Sequence, residues 1–190
     1  DVYKRQGQGT DVLVMTATPI PRTLTLAAYG DMDVSRLTEK PAGRQPIETT
    51  LIDVTRIDEV LAGLKRQIKK KSRIYWVCPL VEESEMLDLA AAEARFEDLK
   101  AVFGVRVGIV HGKMKPTDKD KIMAQFQAGD IELLVSTTVI EVGVNVPEAT
   151  IMVIEHAERF GLAQLHQLRG RVGRGADKSF CILLYRTPLS

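Results

Sequence analysis

Short apolar runs alternate with longer amphipathic stretches along the chain, and this alternation restricts the possible folds more than any other feature. β-Branched residues fill the short runs, as in strands, and the longer stretches have the spacing of helices. Strands are predicted at Val12–Thr16, Ile47–Asp53, Arg73–Cys78, Val105–Val110, Leu133–Ser136, Thr150–Glu155 and Ser179–Tyr185, and helices near Arg56–Lys70, Ser84–Phe103, Thr117–Gln127 and Leu162–Arg169. This order predicts an α/β fold, a parallel sheet with helices on both faces.

The charges of the chain nearly cancel, since 26 basic and 25 acidic residues leave a formal net charge of +1. That balance neither requires nor excludes a nucleic-acid partner, because a local basic groove does not show in a global count. No apolar run approaches the roughly 20 residues that span a bilayer, and no signal-peptide core is present. We therefore expect no membrane partner and a cytoplasmic location. Cys78 and Cys181 lie in apolar runs without metal-site spacing, which predicts reduced core thiols and no metal site.

Residues 39–46 are polar and rich in proline and glycine, the composition of a linker. They separate a short piece, residues 7–38, from a βα domain over residues 47–190. Only the second part is long enough to be a domain, so the first is predicted to be the tail of another one. We therefore expect the chain to be a fragment of a longer protein.

The segment Gln164–Gly175 combines glutamine, arginine and glycine at regular intervals. If it is helical, Gln167, Arg171 and Arg174 fall on one face at i, i+4 and i+7. Two guanidinium groups on one face suit a triphosphate, and such an arginine finger stabilises charge on a transferred phosphoryl group. The alternative is a solvated basic helix end. The glycines Gly170 and Gly173 favour the phosphate interpretation, because glycine is a poor choice in a helix kept only for stability.

Three further segments carry polar residues after a predicted strand. Ser136–Thr138 leads to a turn with Gly143 and Asn145, which fits a nucleotide or sugar–phosphate ligand at the end of a strand but also a simple helix cap. His111–Lys113 opens a helix and fits a phosphate-backbone contact, although a lone histidine there is more often structural. The segment Thr16–Thr23, with its two prolines, is unspecific by physics alone. No GxxxxGK[ST] phosphate-binding loop occurs in the sequence.

Taken in order, these segments resemble the motifs of the superfamily 2 helicases. Thr16–Thr18 resembles motif III, Ile74–Leu80 motif IV, Ser136–Pro147 motif V and Gln167–Arg174 motif VI with its QxxGRxxR pattern. Thr16–Thr23 and Phe160–Arg174 are similar to the RecG and transcription-repair coupling factor families, and Trp76–Ser84, Val139–Val144 and Thr187–Ser190 favour the RecG family. The likeness runs from about Val12 to Ser190. Residues 1–6 do not match the family, so the resemblance implies that they are foreign or misassembled sequence.

The resemblance implies a RecA-like fold of the P-loop NTPase type and an ATP-dependent DNA helicase that remodels stalled replication forks and other branched DNA in recombination and repair. ATP and Mg²⁺ would be held mainly by a first RecA-like domain outside this chain, which a DNA-junction wedge domain would precede. The partners would be branched or forked DNA and those other domains of the same chain, in a monomer. The fragment alone is expected to be inactive.

The resemblance also implies a role for each matched residue. Arg171, Arg174 and Gln167 would be catalytic; Gly143, Asn145 and Gly170 would bind ATP; Thr16 and Thr18 would couple nucleotide state to lobe closure; and Arg22, His111, Gly112, Lys113, Thr137 and Thr138 would bind DNA. Asn145 stands where many members of the family have Asp. Three alternatives stay open: a transcription-repair DNA translocase, an RNA helicase and a non-catalytic nucleic-acid-binding module. The last has no need of the two arginines and Gln167.

Overall fold

The computed structural model describes residues 35, 45–79, 85–137, 146–175 and 177–187. The chain divides into two compact units, Asp1–Glu39 and Lys40–Ser190. All described residues except Ser35 belong to the second unit. The predicted strand Val12–Thr16, the lead-in 1–6 and nearly all of the segments 7–38 and 39–46 lie outside the described residues. The predicted domain boundaries therefore stay predictions.

The described residues form strands and helices in strict alternation, except between β4 and β5. The strands are β1 Ile47–Asp53, β2 Arg73–Cys78, β3 Val107–Val110, β4 Leu133–Thr137, β5 Ala149–Ile154 and β6 Ser179–Tyr185. The helices are α1 Ile57–Ile68, α2 Glu85–Phe103, α3 Pro116–Ala128 and α4 Leu162–Arg169, with short 3-10 turns at Val54–Arg56, Gly104–Arg106 and Ala157–Arg159. Among these helices, none combines the length and apolarity needed to cross a membrane.

The six described strands form one parallel sheet in the order β1-β6-β5-β2-β4-β3. Because all strands point the same way, their last residues share one border of the sheet, here called the carboxyl edge: Asp53, Cys78, Val110, Thr137, Ile154 and Tyr185. Their first residues share the opposite border, the amino edge: Ile47, Arg73, Val107, Leu133, Ala149 and Ser179. The fold class is as predicted, a parallel α/β sheet.

The helices divide equally between the two faces of the sheet. Helices α1 and α2 cover one face through an apolar cluster that includes Leu64, Leu99 and the fully buried Trp76. Helices α3 and α4 cover the other face, where Phe126 and Leu168 pack against Tyr75 and its neighbours. Tyr75 and Trp76 are adjacent in β2 and point to opposite faces, as the two-residue period of a strand requires. Burial on both faces explains the near-continuous apolar strands.

Most element ends agree with the sequence prediction, and local chemistry explains those that differ. Strand β3 begins at Val107 instead of Val105, because Gly104 at φ 75° opens a 3-10 turn. Helix α1 begins at Ile57, because the Asp53 side chain accepts a hydrogen bond from the backbone N–H of Thr55 and starts a separate 3-10 turn. Cys78 and Cys181 are both buried, and both are free thiols.

Candidate functional site

The segment with the two predicted catalytic arginines is not one helix. Helix α4 ends at Arg169 with Gly170 as its cap, so Gln167 is helical while Arg171 and Arg174 lie in the turn that follows. Gly173 adopts φ 72°, a left-handed conformation that cannot continue a helix. The predicted shared helical face is therefore wrong for the arginines. We call residues Gly170–Gly175 the arginine loop.

Close backbone contacts place the arginine loop at the amino edge of the sheet. A Cβ on Gly173 would lie 2.9 Å from Cγ1 of Ile47, at the start of β1. A Cβ on Gly175 would lie 2.9 Å from the carbonyl oxygen of Pro147, just before β5. Only glycine allows these approaches without displacing a neighbour. Within the loop, Arg174 Nε donates to the carbonyl oxygen of Gly170 at 3.4 Å.

Three arginines share one electrostatic environment at this edge. Arg171 is half-buried and Arg174 is exposed. Burial raises the pKa of Tyr75 to about 12, while the positive charges of Arg171, Arg174 and Arg73 act in the opposite direction. All three guanidinium groups therefore lie within electrostatic range of one phenol. Arg73 forms an ion pair with Glu148 at 2.9 Å. Such a concentration of positive charge suits a polyphosphate.

The described part of the predicted DNA-binding set lies at the opposite border of the sheet. His111 follows β3 and Thr137 ends the neighbouring strand β4, since Val110 pairs with Ser136. Gly112 and Lys113 are exposed in the turn that leads to α3. The carbonyl oxygen of Gly112 accepts a hydrogen bond from Lys119 Nζ at 3.1 Å, which ties that turn to α3. The structure thus brings His111, Gly112, Lys113 and Thr137 to one edge.

Exposure differs within this group. Thr137 is 4% exposed, so its side chain presents little surface to a ligand. Ser136 is buried, and among the described residues neither its Oγ nor Nδ1 of His111 has a hydrogen-bond partner. The predicted site residues Thr16, Thr18, Arg22, Thr138, Gly143 and Asn145 lie outside the described residues. Their roles stay predictions, as do those of the residues placed above.

A buried carboxylate at the carboxyl edge was not predicted. Glu155 directly follows β5 and is 7% exposed. Its Oε2 accepts hydrogen bonds from Trp76 Nε1 and from Arg95 Nε, both at 2.9 Å, and its Oε1 accepts a second one from Arg95 Nη2. The Arg95 guanidinium also lies 5.7 Å from the centroid of the Trp76 ring. We call Trp76, Arg95 and Glu155 the Glu155 network. The sequence signal that could have indicated this network was a glutamate directly after an apolar strand.

Opposing effects set the ionisation of Glu155. Burial raises the pKa of its carboxyl, but the hydrogen bonds and charge of Arg95, the Trp76 indole and the charge of His156 together outweigh it, so the pKa is lower than usual. The carboxylate is therefore ionised at neutral pH. Burial of the Cys78 thiol, together with the charge of Glu155, raises the pKa of that thiol far above its usual value. This makes Cys78 a poor nucleophile.

The sheet and the arginine loop define a RecA-like domain of the kind found in helicases. The chain belongs to the family of the helicase conserved C-terminal domain, whose model matches residues 54–176. It is 55% identical over 186 residues to the ATP-dependent DNA helicase RecG of Acidithiobacillus ferridurans. That match covers 97% of the chain but 27% of the relative, so the chain spans about a quarter of that helicase.

Solved structures agree with this assignment. A structure of RecG bound to a three-way DNA junction matches with a TM-score of 0.74 and 43% identity, covering 89% of this chain and 22% of that one. Domain 2 of the DEAD-box helicase Mss116p, bound to an RNA duplex, matches with a TM-score of 0.59 over 74% of this chain and 54% of that one. Its 18% identity supports the shared fold alone.

Proposed function

We propose that this chain is the second RecA-like lobe of an ATP-dependent DNA helicase that acts on branched DNA, such as stalled replication forks. The identity to RecG helicases over nearly the whole chain supports this role. So does the match to RecG in its complex with a three-way junction. Because the chain spans about a quarter of such relatives, the activity would belong to a longer protein. That protein would also provide a P-loop lobe and a junction-binding domain.

The arginine loop carries this proposal. Its glycines hold the backbone against the amino edge, and Arg171 and Arg174 add two permanent positive charges there. ATP would bind between the two lobes, with Arg171 and Arg174 on its phosphates and Gln167 orienting the γ-phosphate or the attacking water. A planar guanidinium can contact two phosphate oxygens and stabilise the charge of the transition state. Gly170, Gly143 and Asn145 would line the nucleotide.

The metal that accompanies ATP belongs to the other lobe in this proposal. Within the described residues, no group of three His, Cys, Asp or Glu side chains could hold a metal ion. What the chain itself contributes to the reaction is positive charge and position.

DNA would bind at the carboxyl edge, across the sheet from the arginine loop. His111, Gly112, Lys113 and Thr137 would contact the phosphate backbone there. Thr138 and Arg22, which lie outside the described residues, are also proposed to bind the DNA backbone. Backbone contacts carry no base sequence, so binding would follow the shape of the DNA. Thr16 and Thr18 would couple nucleotide state to lobe closure, and alternating grip would move the enzyme along the duplex. Roles in recombination and repair, a cytoplasmic location and a monomeric state complete the proposal.

Three other functions were alternatives, and the identity to DNA helicases disfavours one of them, an RNA helicase. A transcription-repair translocase would share this lobe and differ in the partner-binding domains of the complete protein. A non-catalytic nucleic-acid-binding module would share the fold without any use for the arginine loop. The family match favours a helicase over the latter.

The test is an Arg171→Lys substitution in the complete helicase that contains this chain. Lysine keeps the charge and removes the planar fork, so the kcat of DNA-stimulated ATP hydrolysis should fall about 10³-fold. DNA affinity should change less than about threefold, because the arginine loop lies at the other edge. The matched control is Arg106→Lys, since Arg106 is also near the amino edge but forms a surface ion pair with Glu132. Unchanged turnover in Arg171→Lys would remove the arginine loop from the mechanism.

A further inference from the structure

The Glu155 network is an inefficient way to stabilise the fold. Removing a carboxylate and a guanidinium from water costs about as much free energy as their attraction returns. Apolar side chains of similar size at these positions would hold β5 against β2 and α2 at least as well. What an ion pair adds is geometry, because the two-point contact of Arg95 and the single N–H of Trp76 fix the carboxylate in one orientation.

On one side, the network lies at the carboxyl end of β2, here called the exit of β2. Trp76 and Cys78 are the last inward-facing residues of that strand on the face covered by α2. Cys78 pairs across the sheet with Thr137, and Val110 in the next strand pairs with Ser136. The exit of β2 therefore lies directly beside the predicted DNA-binding residues.

The other side of the network is the turn between β5 and α4. His156 follows Glu155 in a left-handed conformation, φ 52° and ψ 49°, which is unfavourable for a residue with a side chain. Its ring lies 3.1 Å from Glu158. The chain then passes through a 3-10 turn into α4, which carries Gln167 and ends in the arginine loop. A strained turn keeps one conformation only when its surroundings hold it.

We propose that Glu155 is a positioning residue that aligns α4 and the arginine loop with the exit of β2, so that DNA contact at one edge sets the arginines at the other. This inference rests on the proposed function, since it concerns the same reaction. In this proposal Glu155 contacts neither ATP nor DNA, since it is 7% exposed. It acts through the turn that it anchors, and Trp76 and Arg95 hold it in place. Strand β2 separates the end of β5 from Thr137, and the turn after Glu155 leads into the helix that carries Gln167, so Glu155 lies between the two sets of residues.

The test uses two variants in the complete helicase. Glu155→Gln keeps the shape and removes the charge, and the double variant Arg95→Met with Glu155→Leu replaces the ion pair by apolar volume. In both, the kcat of DNA-stimulated ATP hydrolysis should fall about tenfold per folded molecule, because small misplacements of catalytic groups have effects of this size or larger. KM for ATP and Kd for a forked DNA should stay within about twofold, since no ligand contact is removed.

A matched control separates positioning from general stability. The double variant Arg106→Met with Glu132→Leu removes another ion pair, between a 3-10 turn and the residue that precedes β4. Its kcat per folded molecule should equal that of the wild type. If the Glu155 variants lower only the melting temperature and keep wild-type kcat, the network is structural and the proposal is wrong.

The Arg171→Lys variant, assayed in parallel, tells this failure from that of the proposed function. When Arg171→Lys abolishes turnover while both Glu155 variants retain it, only the positioning role is lost. When Arg171→Lys has no effect either, the proposed function itself fails.

Discussion

The amino and carboxyl edges of this sheet hold their loops by different means. At the amino edge, the arginine loop lies where it does because Gly173 and Gly175 let the backbone approach Ile47 and Pro147. At the carboxyl edge, the turn after β5 is held by the buried carboxylate of Glu155. One edge depends on the absence of side chains and the other on a particular charged side chain.

The difference suggests how one small domain can keep two proposed ligand-binding edges structurally independent. Steric placement positions the loop through its glycines, with Arg171 half-buried and Arg174 exposed. Placement by an ion pair leaves no net charge for a ligand, because Arg95 neutralises Glu155 inside the protein. The two edges should therefore respond differently to added volume, to pH and to salt.

The largest expected effect follows from adding one methyl group at the amino edge. Gly173→Ala forces a side chain into a left-handed conformation and against Ile47, so the free energy of unfolding should fall by about 2 kcal/mol. Urea unfolding of the chain measures this. The control is Gly112→Ala, where a Cβ meets no atom within 4 Å and stability should change by less than about 0.5 kcal/mol. Equal effects would contradict steric placement of the loop.

A smaller effect, specific to the carboxyl edge, is expected on acidification. The pKa of Glu155 is lower in the folded state, so its contribution to stability is present above its ordinary value of 4.5 and is lost as the pH falls through the folded pKa. As the pH falls from 4.5 to the folded pKa, the unfolding free energy should therefore fall more steeply in the wild type than in Glu155→Gln. The difference is at most one proton, about 1.4 kcal/mol per pH unit. Parallel curves would show that Glu155 does not titrate on unfolding.

The smallest effects should come from exposed ion pairs, which both edges share. Arg56 pairs with Glu59 near the carboxyl edge, and Lys178 pairs with Glu48 near the amino edge, each at 2.7 Å with exposed side chains. Glu59→Gln and Glu48→Gln should leave the urea midpoint unchanged within error, because solvent screens such pairs. A measurable loss in only one of them would mean that surface charge also distinguishes the edges.

Local patterns in the sequence were sufficient for the fold and insufficient for the site. The bounds of β1, β2, β6 and α4 agree with prediction, because apolar runs and glycine or proline boundaries are local signals. The turn at Gly173 was missed, since its reason is contact with Ile47 on a distant strand. Glu155 was missed for the same cause, as Arg95 and Trp76 lie 60 and 79 positions away. Contacts between residues that are distant in the sequence cannot be predicted from a short window of sequence.

The strand order has a consequence for synthesis of the protein. In the described sheet β1 is an edge strand whose neighbour is β6, with Ile47 opposite Ser179. Of the described strands, β1 is synthesised first and its neighbour β6 last, an interval on the order of ten seconds at cellular translation rates. During that time its Leu51, which stays 63% exposed even in the finished domain, is open to other chains. Chaperone dependence of newly made chains should therefore concentrate on residues 47–53.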